Sequence, residues 1–339
     1  MSVTERVDRY QQRHRRAGFP IAVIYKYFDD QGNYLAALIT FYGFVSVFPL
    51  LLLLSSVLGF LLQGHPGLEQ HVLDSTLSQF PVIGDQLSDP QGLTGSMPAV
   101  IIGAVTSLYG ALGVAQAIQN AANIAWAVPR NRRPNPLLAR VRSLLLLAVG
   151  GVALLATTVL SALGSGSYTL GSGLGMGLKI LATFLSVCIN AVVFIFAFRI
   201  STAHRLPWRD AAPGAIFAAL IAQALQSFGA PLVGYVVNHA SKTNGTFALV
   251  LGLLAWIYIG AVGLVLSIEI NVVRTKHFYP RALLAPFTDD VDLTRGDQKA
   301  YTSYATAQQT KGFESVDVDF ANEGQNATAK RDQKRRDGG

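Results

Sequence analysis

Apolar residues in this chain come in long unbroken runs, without the polar stripe that a helix facing water keeps. The run Leu35–Leu62, LAALITFYGFVSVFPLLLLLSSVLGFLL, holds 28 residues and no charge, where roughly 20 apolar residues suffice to cross the hydrocarbon core of a bilayer. It is read as a membrane-spanning helix. Pro49 near its middle removes one backbone hydrogen bond and is expected to kink it. Neighbouring helices must satisfy the freed carbonyl, which places the span inside a bundle. Five more runs follow at Pro98–Ala127, Ser143–Leu163, Lys179–Phe198, Ala211–Val237 and Thr246–Asn271. The pattern predicts an all-α integral membrane protein, a bundle of six transmembrane helices.

The connections differ in charge. Arg6, Arg9, Arg13, Arg15 and Arg16 precede the first span, with Gly18 and Pro20 expected to break that segment. Ile21, Ile24, Tyr27 and Phe28 then share one side of a short helix ending at Asp29, which predicts an interfacial helix. This arm either lies on anionic lipid or is solvated and only fixes orientation. The loop His65–Gln91 carries Glu69, Asp74, Asp85 and Asp89 without a Lys or Arg, and reads as an outer amphipathic helix. Arg130, Arg132, Arg133, Arg140 and Arg142 follow the second span. The Gly-rich stretch Gly164–Gly177 is an uncharged outer loop, and Arg199, His204, Arg205 and Arg209 mark the next inner one. Asn238–Gly245 is a short outer loop, and Arg274, Lys276, His277 and Arg281 close the last span. Positive charge thus falls on alternate connections, which puts both termini in the cytoplasm.

Residues 282–339 lack apolar periodicity and are expected to form a disordered cytoplasmic tail ending in the basic cluster Lys330–Arg336. The organisation read from the sequence is therefore a basic arm over 1–34, a transmembrane domain over 35–273, and a largely disordered tail over 274–339.

Composition adds weight to this reading. Hydrophobic residues make up 51% and charged residues 14%, and the mean hydropathy is +0.37, values of the membrane class. The net charge of +7 would read as nucleic-acid affinity in a soluble protein; here it follows from topology, and no nucleic-acid partner is expected. The single cysteine, Cys188, lies in an apolar run and allows no intrachain disulfide. The polar, basic start predicts no cleavable signal peptide.

Candidate chemistry is sparse. All six histidines lie in loops or at span ends, no HExxH or GxSxG pattern occurs, and Glu269 is the sole acidic residue within a predicted span. The Gly-rich loop lacks the Lys-Ser/Thr ending of a nucleotide-binding loop. Enzymatic, metal and cofactor functions are therefore not expected. Amides remain: Gln116, Gln119, Asn120 and Asn123 share one face of the second span, Thr183, Ser186 and Asn190 share a face of the fourth, and Gln223, Gln226 and Ser227 a face of the fifth. Polar groups facing lipid cost several kcal/mol if unpaired, so these faces turn inward. They either join helices at about 0.6 kcal/mol per bond or line a polar cavity. Candidate substrate-binding residues are Gln116, Asn120, Asn123, Asn190, Gln223 and Glu269. Arg199, at similar depth, is the candidate ion-pair partner of Glu269.

The opening span, the second-span ending with Asn120, Asn123 and Trp126 before an Arg-rich loop, the stretch RLPWRDAAPGA at Arg205–Ala215, and the last span with Trp256, Glu269, Ile270 and Asn271 resemble the YihY/BrkB family of bacterial inner-membrane proteins. The resemblance covers roughly residues 20–280 and implies six spans in the bacterial cytoplasmic membrane. An older ribonuclease label in that family finds no acidic metal cluster or histidine pair here to support it. The expected function is transport, flipping or export of an amphipathic or lipid-linked substrate through a cavity open to the cytoplasm, with anionic lipid as a partner on that face. The alternative is a membrane scaffold that binds anionic lipid or partner proteins.

Overall fold

The computed structural model of the chain describes residues 8, 10–12, 14–61, 97–165, 172–239, 245–284, 291 and 293–320. The acidic loop expected over His65–Gln91, the middle of the Gly-rich loop and the terminal basic cluster lie outside these residues. Among the described residues the regular elements are helices: α1 (Arg15–Asp29), α2 (Gly32–Leu61), α3 (Met97–Ala125), α4 (Pro136–Ser165), α5 (Ser172–Ser201), α6 (Trp208–His239), α7 (Gly245–Lys276) and α8 (Arg295–Ala307), with a 3-10 turn at Arg130–Arg132.

Helices α2 to α7 each run 29 to 32 residues, roughly 45 Å at 1.5 Å per residue. Four described segments are long and apolar enough to cross a membrane: Pro136–Ala153, Ile180–Ser201, Trp208–Gly229 and Val250–Lys276. The described apolar part of α2, Gly32–Val47, is shorter. α4 begins at Pro136 rather than near Ser143, so Arg140 and Arg142 lie in its first two turns. α1 also departs from expectation, because it continues through Gly18 and Pro20. Pro20 falls early in the helix, where its missing N–H forfeits a single bond. Gly18 is buried, and a Cβ there would meet Gln11 at 3.1 Å.

The chain divides into two compact units, with the boundary inside α1 after Ala22. The larger unit, residues 23–128 and 133–276, contains α2 to α7. Each of these helices packs on the next, and α7 returns to α2, closing the circuit; α3 also reaches α5 and α7. Its core joins Leu35, Ala36 and Ile39 of α2 to Ala117 and Ala121 of α3 and to Ala261 and Val265 of α7. Small residues dominate this list because lipid supplies no hydrophobic force between helices, and close backbone packing must substitute. Gly110 is an example, since a Cβ there would meet the Ser46 backbone at 2.8 Å.

The smaller unit, residues 1–22, 129–132 and 277–339, corrects the reading of a separate arm and a disordered tail. Gln11 donates to the Arg281 carbonyl, Leu283 N donates to Asp8 at 3.0 Å, and Asn131 N donates to Gln309 O at 3.3 Å. Phe19 and Tyr279 meet edge to face at 5.5 Å. α8 starts with a capping box between Thr294 and Asp297. Asp297 also binds the buried Arg281 guanidinium at 2.5 Å and the Ala282 N–H at 2.9 Å. A short helix held by one buried carboxylate needs little apolar periodicity, which is why the pattern along residues 282–339 did not disclose it.

Candidate functional site

The C-terminal turn of α1 carries Lys26, whose ammonium bonds Asp30 one turn ahead and lies 3.6 Å from Glu269 Oε2 on α7. Lys26 and Glu269 are fully buried, and Asp30 nearly so. Asp30 follows the last residue of α1, and Gln31 then turns through the left-handed region at φ 56° before α2 begins. Burial pushes the Asp30 carboxyl up from its ordinary value, against the downward pull of the Lys26 ammonium. Tyr27, adjacent to Lys26, donates to Asn33 at 2.9 Å. Its hydroxyl is pushed up to about 12 by burial and by Tyr258.

Lys276, the last residue of α7, donates at 2.7 Å to the Trp126 carbonyl just past the end of α3. A C-terminal carbonyl has no partner within its own helix, and a cation there is favoured by the helix dipole. The residues that follow Trp126 and Lys276, Ala127 and His277, adopt positive φ, at 48° and 56°. For residues with a Cβ this conformation costs about 1 kcal/mol or more. The Trp126 ring stacks on His204 at 4.5 Å, and Asn123 one turn earlier accepts the Ala203 N–H at 2.9 Å. Two ammonium and two carboxylate groups thus gather near the shared end of α1, α3 and α7, a balanced set that can hold its charges away from water.

Glu269 was legible from the sequence, but its expected pairing with Arg199 is not formed among the described residues. Arg199 donates through Nε to the Leu206 carbonyl at 3.0 Å and lies 4.3 Å from the Trp208 ring. Equal depth is not adjacency: α6 stands between α5 and α7 in the packing order. Lys26 and Asp30 were missed because their segment read as interfacial. A Lys four residues before an Asp on an otherwise apolar helix was the available signal.

The amides separate into two groups. Gln119 donates to Ser143 Oγ at 2.8 Å and to the Ala139 carbonyl at 3.1 Å, joining α3 to α4. Asn271 accepts the Gly214 N–H at 2.7 Å and donates to the Ala211 carbonyl at 3.1 Å, joining α7 to α6. These two join helix to helix, and Asn123 ties α3 to the α5–α6 connection. Gln116 is exposed and Asn120 half-buried. Asn190 Nδ2 on α5, Gln223 Oε1 on α6 and Trp256 Nε1 on α7 are buried atoms with no protein hydrogen-bond partner among the described residues. Gln223 does donate through Nε2 to Ser227, at a long 3.4 Å.

The family model described as "Virulence factor BrkB" matches residues 23–289 of the chain. No curated protein and no solved structure matches it.

Proposed function

The chain belongs to the virulence factor BrkB family, and from that premise we propose that it is a six-span protein of the bacterial cytoplasmic membrane that moves an amphipathic or lipid-linked substrate through a polar interior open to the cytoplasm. The observation that carries this reading is the set of unpartnered polar atoms on α5, α6 and α7, which are consecutive in the packing circuit. Asn190 lies roughly 16 Å and Gln223 roughly 22 Å from the Arg-rich ends of their helices, near the middle of the bilayer core. A buried polar atom left without a partner costs about 1–3 kcal/mol; water or a passing polar group would offset that cost. The alternation of Arg-rich connections supports both termini in the cytoplasm. Ile24 and Phe28, exposed on α1, suit a helix resting on anionic lipid at that face. This reading assigns the protein no catalytic residue, no cofactor and no nucleic-acid partner.

The scaffold reading has its own observation: Gln119 and Asn271 join helices, and Asn123 ties α3 to the α5–α6 connection. Full-length protein reconstituted in vesicles with a headgroup-labelled phospholipid separates the two. Transport predicts translocation faster than in protein-free vesicles, lost in Asn190→Leu/Gln223→Leu with the melting temperature kept. Translocation no faster than in empty vesicles leaves the scaffold.

A further inference from the structure

An open pocket of about 600 Å³ lies where α4, the end of α5 and the α5–α6 connection meet, and its lining includes Arg142, Arg199 and Arg205. Two of these guanidiniums are held by backbone: Arg199 on the Leu206 carbonyl at 3.0 Å, and Arg142 Nη1 at 3.4 Å from the Thr202 carbonyl. The Trp208 ring under Arg199 further restrains its plane. A guanidinium carries five N–H donors, so both keep most of them after these bonds. Arg205 is exposed.

No carboxylate lines the pocket, and none pairs with these three arginines among the described residues. The carboxylate of Asp210, in the first turn of α6, acts on neighbouring His204 and is not part of the lining. Three like charges converging without a counter-ion repel one another, which an anion with several oxygens would relieve. Arginine forks match phosphate oxygens two at a time. The apolar part of the lining includes Phe196, Ile200, Leu206 and Pro207; Phe196 meets Trp208, which stands beside the lining, edge to face at 4.8 Å, and both rings are about half exposed. Basic pockets between spanning helices near a membrane surface suit lipid headgroups in this way.

We propose that this pocket binds a phosphate group, with Arg142, Arg199 and Arg205 on its oxygens, and that the Phe196–Trp208 pair flanks the chain of an amphiphile bearing it. The site holds for a transporter or a scaffold alike, so it does not rest on the transport reading.

The test uses the full chain in a zwitterionic detergent, with short-chain phosphatidic acid, the matching phosphatidylcholine and inorganic phosphate as probes. The wild type should bind phosphatidic acid in preference to phosphatidylcholine. Arg205→Gln should weaken that binding about tenfold, with the lipid-free melting temperature unchanged. Arg140→Gln makes the same charge change on α4 outside the pocket and should have no effect. Weaker binding of inorganic phosphate assigns the site to a lipid-borne group; equally tight binding keeps the phosphate site and assigns it to a soluble ion. Equal binding of the two lipids by the wild type overturns the proposal without any variant. So does an equal loss in Arg205→Gln and Arg140→Gln, which would mean surface charge alone.

Discussion

Lys26 stands between two carboxylates, so removing it differs from removing either of them. Lys26→Met leaves Asp30 and Glu269 facing each other without the ammonium, and should destabilise the bundle by about 3–5 kcal/mol. Glu269→Met added to it should recover part of that loss, because the pair is then replaced by apolar volume. Unfolding in detergent measures both, and a Lys26→Met protein as stable as wild type would contradict the clamp. His204 supplies a pH dependence. Burial and the Lys276 ammonium hold its imidazole below the ordinary value, against the opposing pull of Asp210. Folded His204 therefore binds fewer protons than unfolded, so its contribution is present above the unfolded pKa of about 6.5 and is lost as pH falls through the folded one. The melting temperature should drop between about pH 7 and about pH 5, and His204→Phe, which keeps a ring against Trp126, should flatten that drop. A slope unchanged in the variant would place the acid sensitivity elsewhere. Glu269 was legible as the lone acid of its span; its partner lies at the far end of the sequence, where depth along a helix carries no information.

Helix crossings depend on positions where no side chain fits. Gly214 of α6 faces the Ser267 carbonyl and the Asn271 amide of α7, and a Cβ there would clash with both. Gly214→Ala should cost about 1–3 kcal/mol, and Asn271→Ala on top should not restore it, because the Ser267 backbone cannot move aside. Full rescue in the double variant would contradict the close approach. In the smaller unit, Asp297→Ala should remove the carboxylate that binds the buried Arg281 guanidinium, at a cost of about 3 kcal/mol. Limited proteolysis reads this as new cleavage near α8 in the variant; an unchanged digestion pattern would mean that the carboxylate holds nothing. Sequence pattern found the long helices because uncharged runs of this length have few alternatives. It missed α8, whose marker is the single capping pair Thr294–Asp297 rather than an apolar face.

For the whole molecule, class and order of the long helices were legible from hydropathy, and family membership from short motifs spread over three of the spans and one connection. What stayed hidden was which residues meet: the joining of the chain's start to its end in one unit, and the sharing of the amides between helix joining and an unpaired interior set. Only three-dimensional packing decides such meetings, since Asn123 and Asn190 look alike along the chain, yet Asn123 accepts the Ala203 N–H while Asn190 Nδ2 has no protein partner among the described residues. The central claim is a polar interior reached from the cytoplasm. It is tested by Asn190→Cys in a Cys188→Ser background, which leaves one thiol in the chain. A membrane-impermeant thiol reagent is applied to right-side-out and to inside-out vesicles. The account predicts labelling from the cytoplasmic face of the inside-out vesicles and little from the right-side-out ones. No labelling from either face, with the thiol reactive once the protein is denatured, or labelling from the outer face alone, would contradict it.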